Sequence, residues 1–438
     1  GVEPAQIAAH GAAWDALHAE YGPSHELPLC ADVLRWRDRY PGARAAIPLS
    51  AALDMVGDAN VRRPRRARLP VTEPGPDPEA AGAKLRSLVE TEQALEAEAL
   101  LRGAIARGWG PAEIYPWCWQ IVSDHFLDFG HQLIYLVKLQ ELLEQAGWQH
   151  ADPILSSWVF GVSHGTREDR LPEWKTYREH IAALSGRWPA LWTGCSQDAD
   201  GPWDGAAKLG EVLLDGTRAQ VFALLLEGLR ARAPLGSLVD TLARAAATRM
   251  LRFDPAHDLD LDRQDSWLSV THIQTFTAAL RQALQRGREA ELLRLLFQAA
   301  MFIHKGRPLD RPSSARLDTT PTSSQGVEGL LRAIKDKRCA EAVGQTAAWL
   351  ASGEELRPLR EALETLAMTD PAVRPIVVAH VIKNTVVAFE EHQALDDPTP
   401  VLALVALLAS PMRERRVLRV TREAIAFVTE GKVPNSVM

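Results

Sequence analysis

Hydrophobic and polar positions follow a helical period along almost the whole chain. Apolar residues recur at intervals of three and four positions, and Ala, Leu, Arg and Glu dominate the composition. Residues at this spacing share one face of a helix, and these residue types have high helix propensity. Segments with the alternating pattern of a strand are hard to find. The sequence therefore predicts an all-α protein.

The same pattern divides the chain into three regions. Residues 1–61 predict a small N-terminal module of two or three short helices. Residues 62–89 are rich in proline, glycine and arginine and predict a surface linker whose arginines are solvated. Residues 90–438 predict a body of about three diverged multi-helix repeats, with copies at about 90–180, 215–310 and 327–430.

Each predicted copy contains a helix that carries a histidine. These helices read GHQLIYLVKLQ at His131, THIQTFTAALR at His272 and AHVIKNTVVAF at His380. Repeated helices that stack side by side would bring the three imidazoles toward one interior. We therefore expect a histidine-lined pocket in the repeat body.

In the first two copies, further polar residues accompany the histidine at matching distances. His164 and His304 end the following helical segments, while Asp124 and Asp265 each lie seven residues before the first histidine. Seven residues are two helical turns, so each aspartate is expected to share a helix face with its histidine.

Two to four imidazoles with one or two carboxylates suit iron, manganese or zinc, and iron if oxygen is the reactant. The predicted metal ligands are His131, His164, His272, His304, Asp124 and Asp265. The same residues allow a plain structural interpretation. His164 and His304 would complement helix dipoles, and the other histidines would be hydrogen-bonded core residues.

The third copy adds a polar group beside its histidine. Lys383 and Asn384 are the i+3 and i+4 neighbours of His380 on an otherwise apolar helix. The lysine would bind an anionic or oxyanionic substrate and Asn384 would orient it, unless the lysine reaches out to solvent. The predicted catalytic residues are His131, His272, His380 and Lys383.

Composition excludes several classes of partner. The net charge of −7 over 438 residues lacks the basic field that nucleic acids require. Four scattered cysteines favour a reducing compartment, and no apolar run reaches the length of a membrane span. We expect a soluble cytoplasmic protein that acts on a small molecule, without a nucleic-acid or membrane partner.

Short catalytic motifs give little support to other enzyme classes. Residues 161–165 match G-x-S-x-G, but an α/β hydrolase needs alternating strands and helices that this chain lacks. HExxH, Walker and GxGxxG motifs do not occur.

The histidine-centred stretches FGHQLIYLVKLQ, THIQTFTAALR and VVAHVIKNTVVAF resemble those of questin oxidase-like proteins. These proteins open oxygen-containing rings or cleave polyketide quinones in Baeyer–Villiger fashion. The resemblance covers about residues 95–400 and matches His131, His272 and His380 to the family's histidine helices. It implies oxidative chemistry on an apolar or aromatic small molecule.

Three hypotheses follow. The first is an oxygenase with a histidine-lined pocket that holds iron, or else manganese or zinc. The second is a helical-repeat scaffold with structural histidines dispersed along an open groove. The third is an oxidase that has the pocket and needs no cofactor. The sequence does not identify a redox partner.

Overall fold

In a computed structural model of the chain, the described residues are 2–36, 40, 44, 46–195, 201, 203–260, 263, 265–323, 325–369, 375–412 and 417–433. These residues form 22 α-helices, short 3-10 turns and two isolated β-bridges. The all-α prediction is confirmed, whereas the three-copy repeat stays a prediction. None of the described helices is long and apolar enough to cross a membrane.

The first half of the chain contains twelve helices. They are α1 (Pro4–His18), α2 (Glu26–Leu34), α3 (Ala46–Asn60), α4 (Pro78–Glu90), α5 (Ala94–Ala106), α6 (Pro111–Asp124), α7 (His131–Ala146), α8 (Ala151–His164), α9 (Lys175–Ala183), α10 (Trp188–Gly194), α11 (Ala206–Asp215) and α12 (Arg218–Arg230).

The second half contains ten helices. They are α13 (Leu235–Arg252), α14 (Pro255–Leu259), α15 (Trp267–Arg286), α16 (Leu293–Lys305), α17 (Gly326–Lys335), α18 (Cys339–Ala351), α19 (Leu356–Ala367), α20 (Pro375–Leu395), α21 (Thr399–Leu408) and α22 (Val417–Glu430).

The chain divides into two compact units. Unit 1 comprises residues 1–242 and 275–302, and unit 2 comprises residues 243–274 and 303–438. The boundaries fall inside α13, α15 and α16, so each of these helices contributes residues to both units.

In unit 1, α1, α2 and α3 pack against one another. α2 also packs against α7, and α5 packs against α8. Large aromatic side chains fill the core, among them the fully buried Trp119, Trp158 and Trp174. This core holds the first turn of α7 against the chain segment that precedes α2.

The segment between α3 and α4 is extended and bonded to unit 1. The Arg66 and Thr72 amides donate to backbone carbonyls at 2.8 and 3.0 Å. The guanidinium groups of Arg66 and Arg68 donate to the Glu98 carboxylate at 2.8 and 2.9 Å. The prediction that the arginines of this segment are solvated is wrong for these two. Glu98 is 1% exposed, and a buried carboxylate requires cationic partners.

In unit 2, α21 is the central helix. It is buried on every side from Pro400 to Leu408, and both α18 and α20 pack against it. An all-round apolar helix is typical of a core position. α20 is therefore anchored along its length, with His380 fixed inside the unit.

Candidate metal-binding histidine pairs

Unit 2 contains a buried pair of histidines from α15 and α20. The Nε2 atoms of His272 and His380 lie 2.9 Å apart, and their rings meet edge to face at 73°. The two side chains are 5% and 2% exposed. The sequence predicted both residues as site residues, and the structure brings them into direct contact.

The other ring nitrogens decide which atoms of this pair carry protons. Nδ1 of His272 lies 2.5 Å from the Leu268 carbonyl oxygen, and Nδ1 of His380 lies 2.6 Å from the Ile376 carbonyl oxygen. A carbonyl oxygen only accepts, so both Nδ1 atoms donate their proton to it. In neutral rings both Nε2 atoms then carry lone pairs. Two lone pairs 2.9 Å apart call for a cation, either a proton shared along the line between the nitrogens or a metal ion that lies to one side of that line.

Unit 1 contains a second histidine pair, formed by the residue before α2 and the first residue of α7. The Nε2 atoms of His25 and His131 lie 3.0 Å apart, with the rings at 85°. Nδ1 of His131 donates to the carbonyl oxygen of Asp128. Both side chains are half-buried. Backbone-bonded Nδ1 atoms and facing Nε2 atoms thus occur in each unit.

An unusual turn sets the position of His131. Asp128, Phe129 and Gly130 all have positive φ angles, of 49°, 56° and 83°, and α7 begins at the next residue. The amide of Phe129 donates to the buried Glu168 carboxylate at 2.7 Å. Two consecutive non-glycine residues in the left-handed region are energetically costly and are typical of functional sites.

The spacing of the nitrogens fits a first-row metal ion. Metal–imidazole bonds of about 2.1 Å place two ligand nitrogens about 3.0 Å apart at a right angle and about 3.4 Å apart in a tetrahedron. The observed separations are 2.9 and 3.0 Å. In each pair the candidate ligand atoms lie within 4.8 Å of one another. A backbone-bonded Nδ1–H is also the usual outer contact of a metal-bound histidine.

A polar group and a small pocket lie next to His380. Lys383 is 5% exposed, so it does not extend to solvent, and Asn384 is fully buried. The Asn384 amide nitrogen donates to the His380 carbonyl oxygen at 2.8 Å. The pocket has a volume of about 20 Å³, enough for one water-sized molecule. Its walls include the apolar Val377 and Leu407.

The two aspartates predicted as ligands have other neighbours. Asp124 accepts hydrogen bonds from Arg86 and Arg294, each at 2.6 Å. It ends α6, whereas His131 begins α7, so the prediction that they share a helix face is wrong. Asp265 is exposed, bonds Ser269 and precedes the first residue of α15. It therefore does not share a helix face with His272.

The two further histidines predicted as ligands lie at helix ends. His164 is the exposed last residue of α8, and its ring contacts Tyr21 and Phe160. His304 is half-buried in the last turn of α16. These positions match the interpretation in which cationic side chains complement helix dipoles.

His25 is the site residue that sequence reasoning missed. It lies just before α2 and shows no repeat relation to the other histidines. Its partner His131 is 106 positions away. No local pattern marks such a contact, because packing of α2 against α7 creates it.

Unit 1 also contains a larger cleft, and none of the four paired histidines is among its lining residues. It has a volume of about 830 Å³ between α4 and α6 and is lined by Arg86, Asp124 and His125 among others. The charged groups in its wall bond to one another. His125 contacts Asp169 at 3.0 Å and Glu90 at 2.8 Å, and Arg86 bonds Asp124. This pairing leaves the cleft without a converging set of ligand atoms.

Other reactive groups are held in structural roles. Ser163 of the G-x-S-x-G sequence lies inside α8, where its hydroxyl donates to the Val159 carbonyl oxygen at 2.9 Å.

Comparison of the chain with protein-family models, with curated proteins and with solved structures gave no match. The histidine pairs are therefore the basis for proposing a function.

Proposed function

We propose that the chain is a metal-dependent oxidoreductase of the oxygenase type, with metal ligands from the His272–His380 and His25–His131 pairs. The observation that carries this proposal is the facing of Nε2 lone pairs at 2.9 Å in the buried pair. Both Nδ1 atoms donate to helix carbonyls there, so in the neutral rings Nε2 is the atom that can bind a cation.

Iron is the proposed metal. Imidazole ligands suit iron, zinc, copper and nickel, and neutral histidines leave the positive charge of the ion uncompensated. When bound, a redox-active ion supplies the electron transfer that reaction with dioxygen requires. The resemblance of the histidine helices to questin oxidase-like proteins favours the same chemistry and gives the substrate class, an apolar or aromatic small molecule.

The surrounding residues have defined roles in this proposal. The Leu268 and Ile376 carbonyls hold the two imidazoles of unit 2 in orientation. Buried Lys383 contributes positive charge one turn from His380, which favours substrate oxygen atoms that gain negative charge. The apolar wall of the adjacent pocket limits access of bulk water.

Oxygen uptake tests the proposal. Untagged protein is loaded anaerobically with ferrous iron, freed of excess metal and mixed with oxygen and a panel of polycyclic phenols and quinones. We expect substrate-dependent oxygen consumption that falls at least a hundredfold in His272→Ala and is unchanged in His18→Ala. His18 has the same Nδ1 contact to a carbonyl four residues earlier, but its ring stacks on Trp14.

Three results would contradict the proposal. Oxygen consumption that His272→Ala leaves unchanged would remove the pair from the reaction. Substrate turnover by carefully metal-free protein would instead favour the oxidase that needs no cofactor. Binding of panel compounds without any turnover would favour the scaffold hypothesis.

A further inference from the structure

Tyr135 is a buried aromatic residue beside the histidine pair of unit 1. It lies one helical turn after His131 on α7, so the two side chains share a face. Its ring centre is 5.3 Å from that of His131 and 6.1 Å from that of His25. The residue is 4% exposed. Tyr135 therefore contacts both members of the pair from the protein interior.

The hydroxyl group of Tyr135 makes no hydrogen bond with the part of the chain that the structure describes. A buried tyrosine hydroxyl normally has a partner. Tyr177, which is equally buried, illustrates this, because its hydroxyl bonds Gln298 at 3.1 Å. The Tyr135 hydroxyl is therefore available to a molecule that enters beside the histidines.

A tyrosine hydroxyl carries its proton at neutral pH and can donate it in a hydrogen bond. A protonated phenol donates a hydrogen bond and favours an acceptor that carries negative charge. Neutral His131 donates from Nδ1 to a carbonyl oxygen and therefore cannot donate from Nε2, so Tyr135 places a donor beside it.

We propose that Tyr135 donates a hydrogen bond to an oxygen atom or small anion bound beside the His25–His131 pair. This inference rests on the proposed function, since a metal ion held by the histidines is what attracts such a ligand. In the reaction, the same bond would orient a substrate oxygen and stabilise negative charge that develops on it. The hydroxyl keeps its proton throughout.

Azide binding tests this role without turnover. The protein is loaded with cobalt(II), and the visible absorption of the metal is followed during titration with azide. We expect Tyr135→Phe to retain its metal and to bind azide about tenfold more weakly, the effect of one hydrogen bond to a charged acceptor. Tyr115→Phe is the matched control. Tyr115 is 7% exposed and packs on Trp148, and we expect its azide affinity within about twofold of wild type.

A second measurement observes the tyrosine side chains directly by ¹⁹F NMR. The chain has five tyrosines, so labelling with 3-fluorotyrosine gives one ¹⁹F signal for each. With zinc as the metal, azide is expected to shift the signal of one buried tyrosine. That signal persists in Tyr115→Phe and disappears in Tyr135→Phe.

Equal azide affinity in metal-loaded wild type and Tyr135→Phe would overturn the inference, and so would azide binding that moves no ¹⁹F signal. Failure of loaded wild type to bind azide would also overturn it. All three leave the proposed function intact. Only failure of the wild type to take up metal removes both, which makes the two failures distinguishable.

Discussion

The two nitrogens of each imidazole have different tasks in the histidine pairs. Nδ1 donates to a backbone carbonyl in His131, His272 and His380, which fixes the ring and leaves Nε2 as an acceptor. Half-buried His18 has the same Nδ1 contact. The pairs differ from it because each Nε2 lies next to a second imidazole, and the proposed metal site is based on this feature.

At this scale the sequence identified some of the site. His131, His272 and His380 were found because each lies on an apolar helix at a comparable place. His25 could not be found, since its contact with His131 depends on tertiary packing. Asp124 was proposed as a ligand from spacing alone. The spacing did not reveal the turn between Asp124 and His131. The arginines that bond Asp124 come from segments distant in sequence.

Asp124→Asn separates an ion-pair role from a metal-ligand role. The substitution weakens the bonds to Arg86 and Arg294, and we expect it to lower the free energy of unfolding by about 1–2 kcal/mol. Chemical denaturation gives this quantity, with the exposed Asp265→Asn as a control close to wild type. Bound iron per folded chain should stay unchanged. Loss of iron in Asp124→Asn would restore the aspartate to the ligand set.

Two connections between helices hold histidine side chains in place. The left-handed turn before α7 places His131. Gly130 has a φ of 83°, and a Cβ at that position would collide with the ring of Phe276. Turns of this kind have no repeating hydrophobic pattern. For this reason the sequence predicted the helices well and the residues between them poorly.

Gly130→Ala tests the turn. Backbone strain and the clash with Phe276 are expected to lower the free energy of unfolding by about 1–3 kcal/mol and to weaken metal binding through His131. Gly108→Ala is the matched control, because its φ is 97° and no atom lies within 4 Å of the new Cβ. Denaturant unfolding of both variants, with metal titration, makes the comparison. Equal behaviour of the two would show that the site does not depend on this turn.

A second connection links α4, the end of α6 and the 3-10 turn at Glu168–Arg170 through His125. Burial opposes protonation of His125, but hydrogen bonds and charges of Asp169 and Glu90 outweigh it and raise its pKa above 6.5. The folded state therefore binds this proton more tightly than the unfolded state does. The resulting stability is fully present below about pH 6.5 and is lost as pH rises through the higher folded pKa.

We expect His125→Gln to change the free energy of unfolding by an amount that depends on pH. The variant should be less stable than wild type at pH 6, and the difference should shrink by pH 9, as measured by urea unfolding across that range. His18→Gln on α1 controls for loss of an imidazole, because the Nδ1 contact of His18 is to a backbone carbonyl. A difference that grows with pH would contradict the assigned sign.

For the molecule as a whole, the sequence predicted the helical class because helical periodicity is a local property. It did not predict that Arg66 and Arg68 are drawn to buried Glu98, which requires knowledge of tertiary contacts. It also could not show that each compact unit contains two histidines whose Nε2 atoms lie about 3 Å apart. That recurrence is the strongest support for a metal-dependent protein.

Elemental analysis of untagged protein tests this claim most directly. Wild type, His131→Ala, His272→Ala and His18→Ala are loaded with ferrous iron without oxygen, desalted and checked for helicity by circular dichroism. The account predicts near-stoichiometric iron in wild type and His18→Ala, with strong loss in both pair variants. The metal-to-protein ratio gives the number of ions that the pairs hold. Wild-type protein that takes up no metal, or variants that retain as much as wild type, would contradict the account.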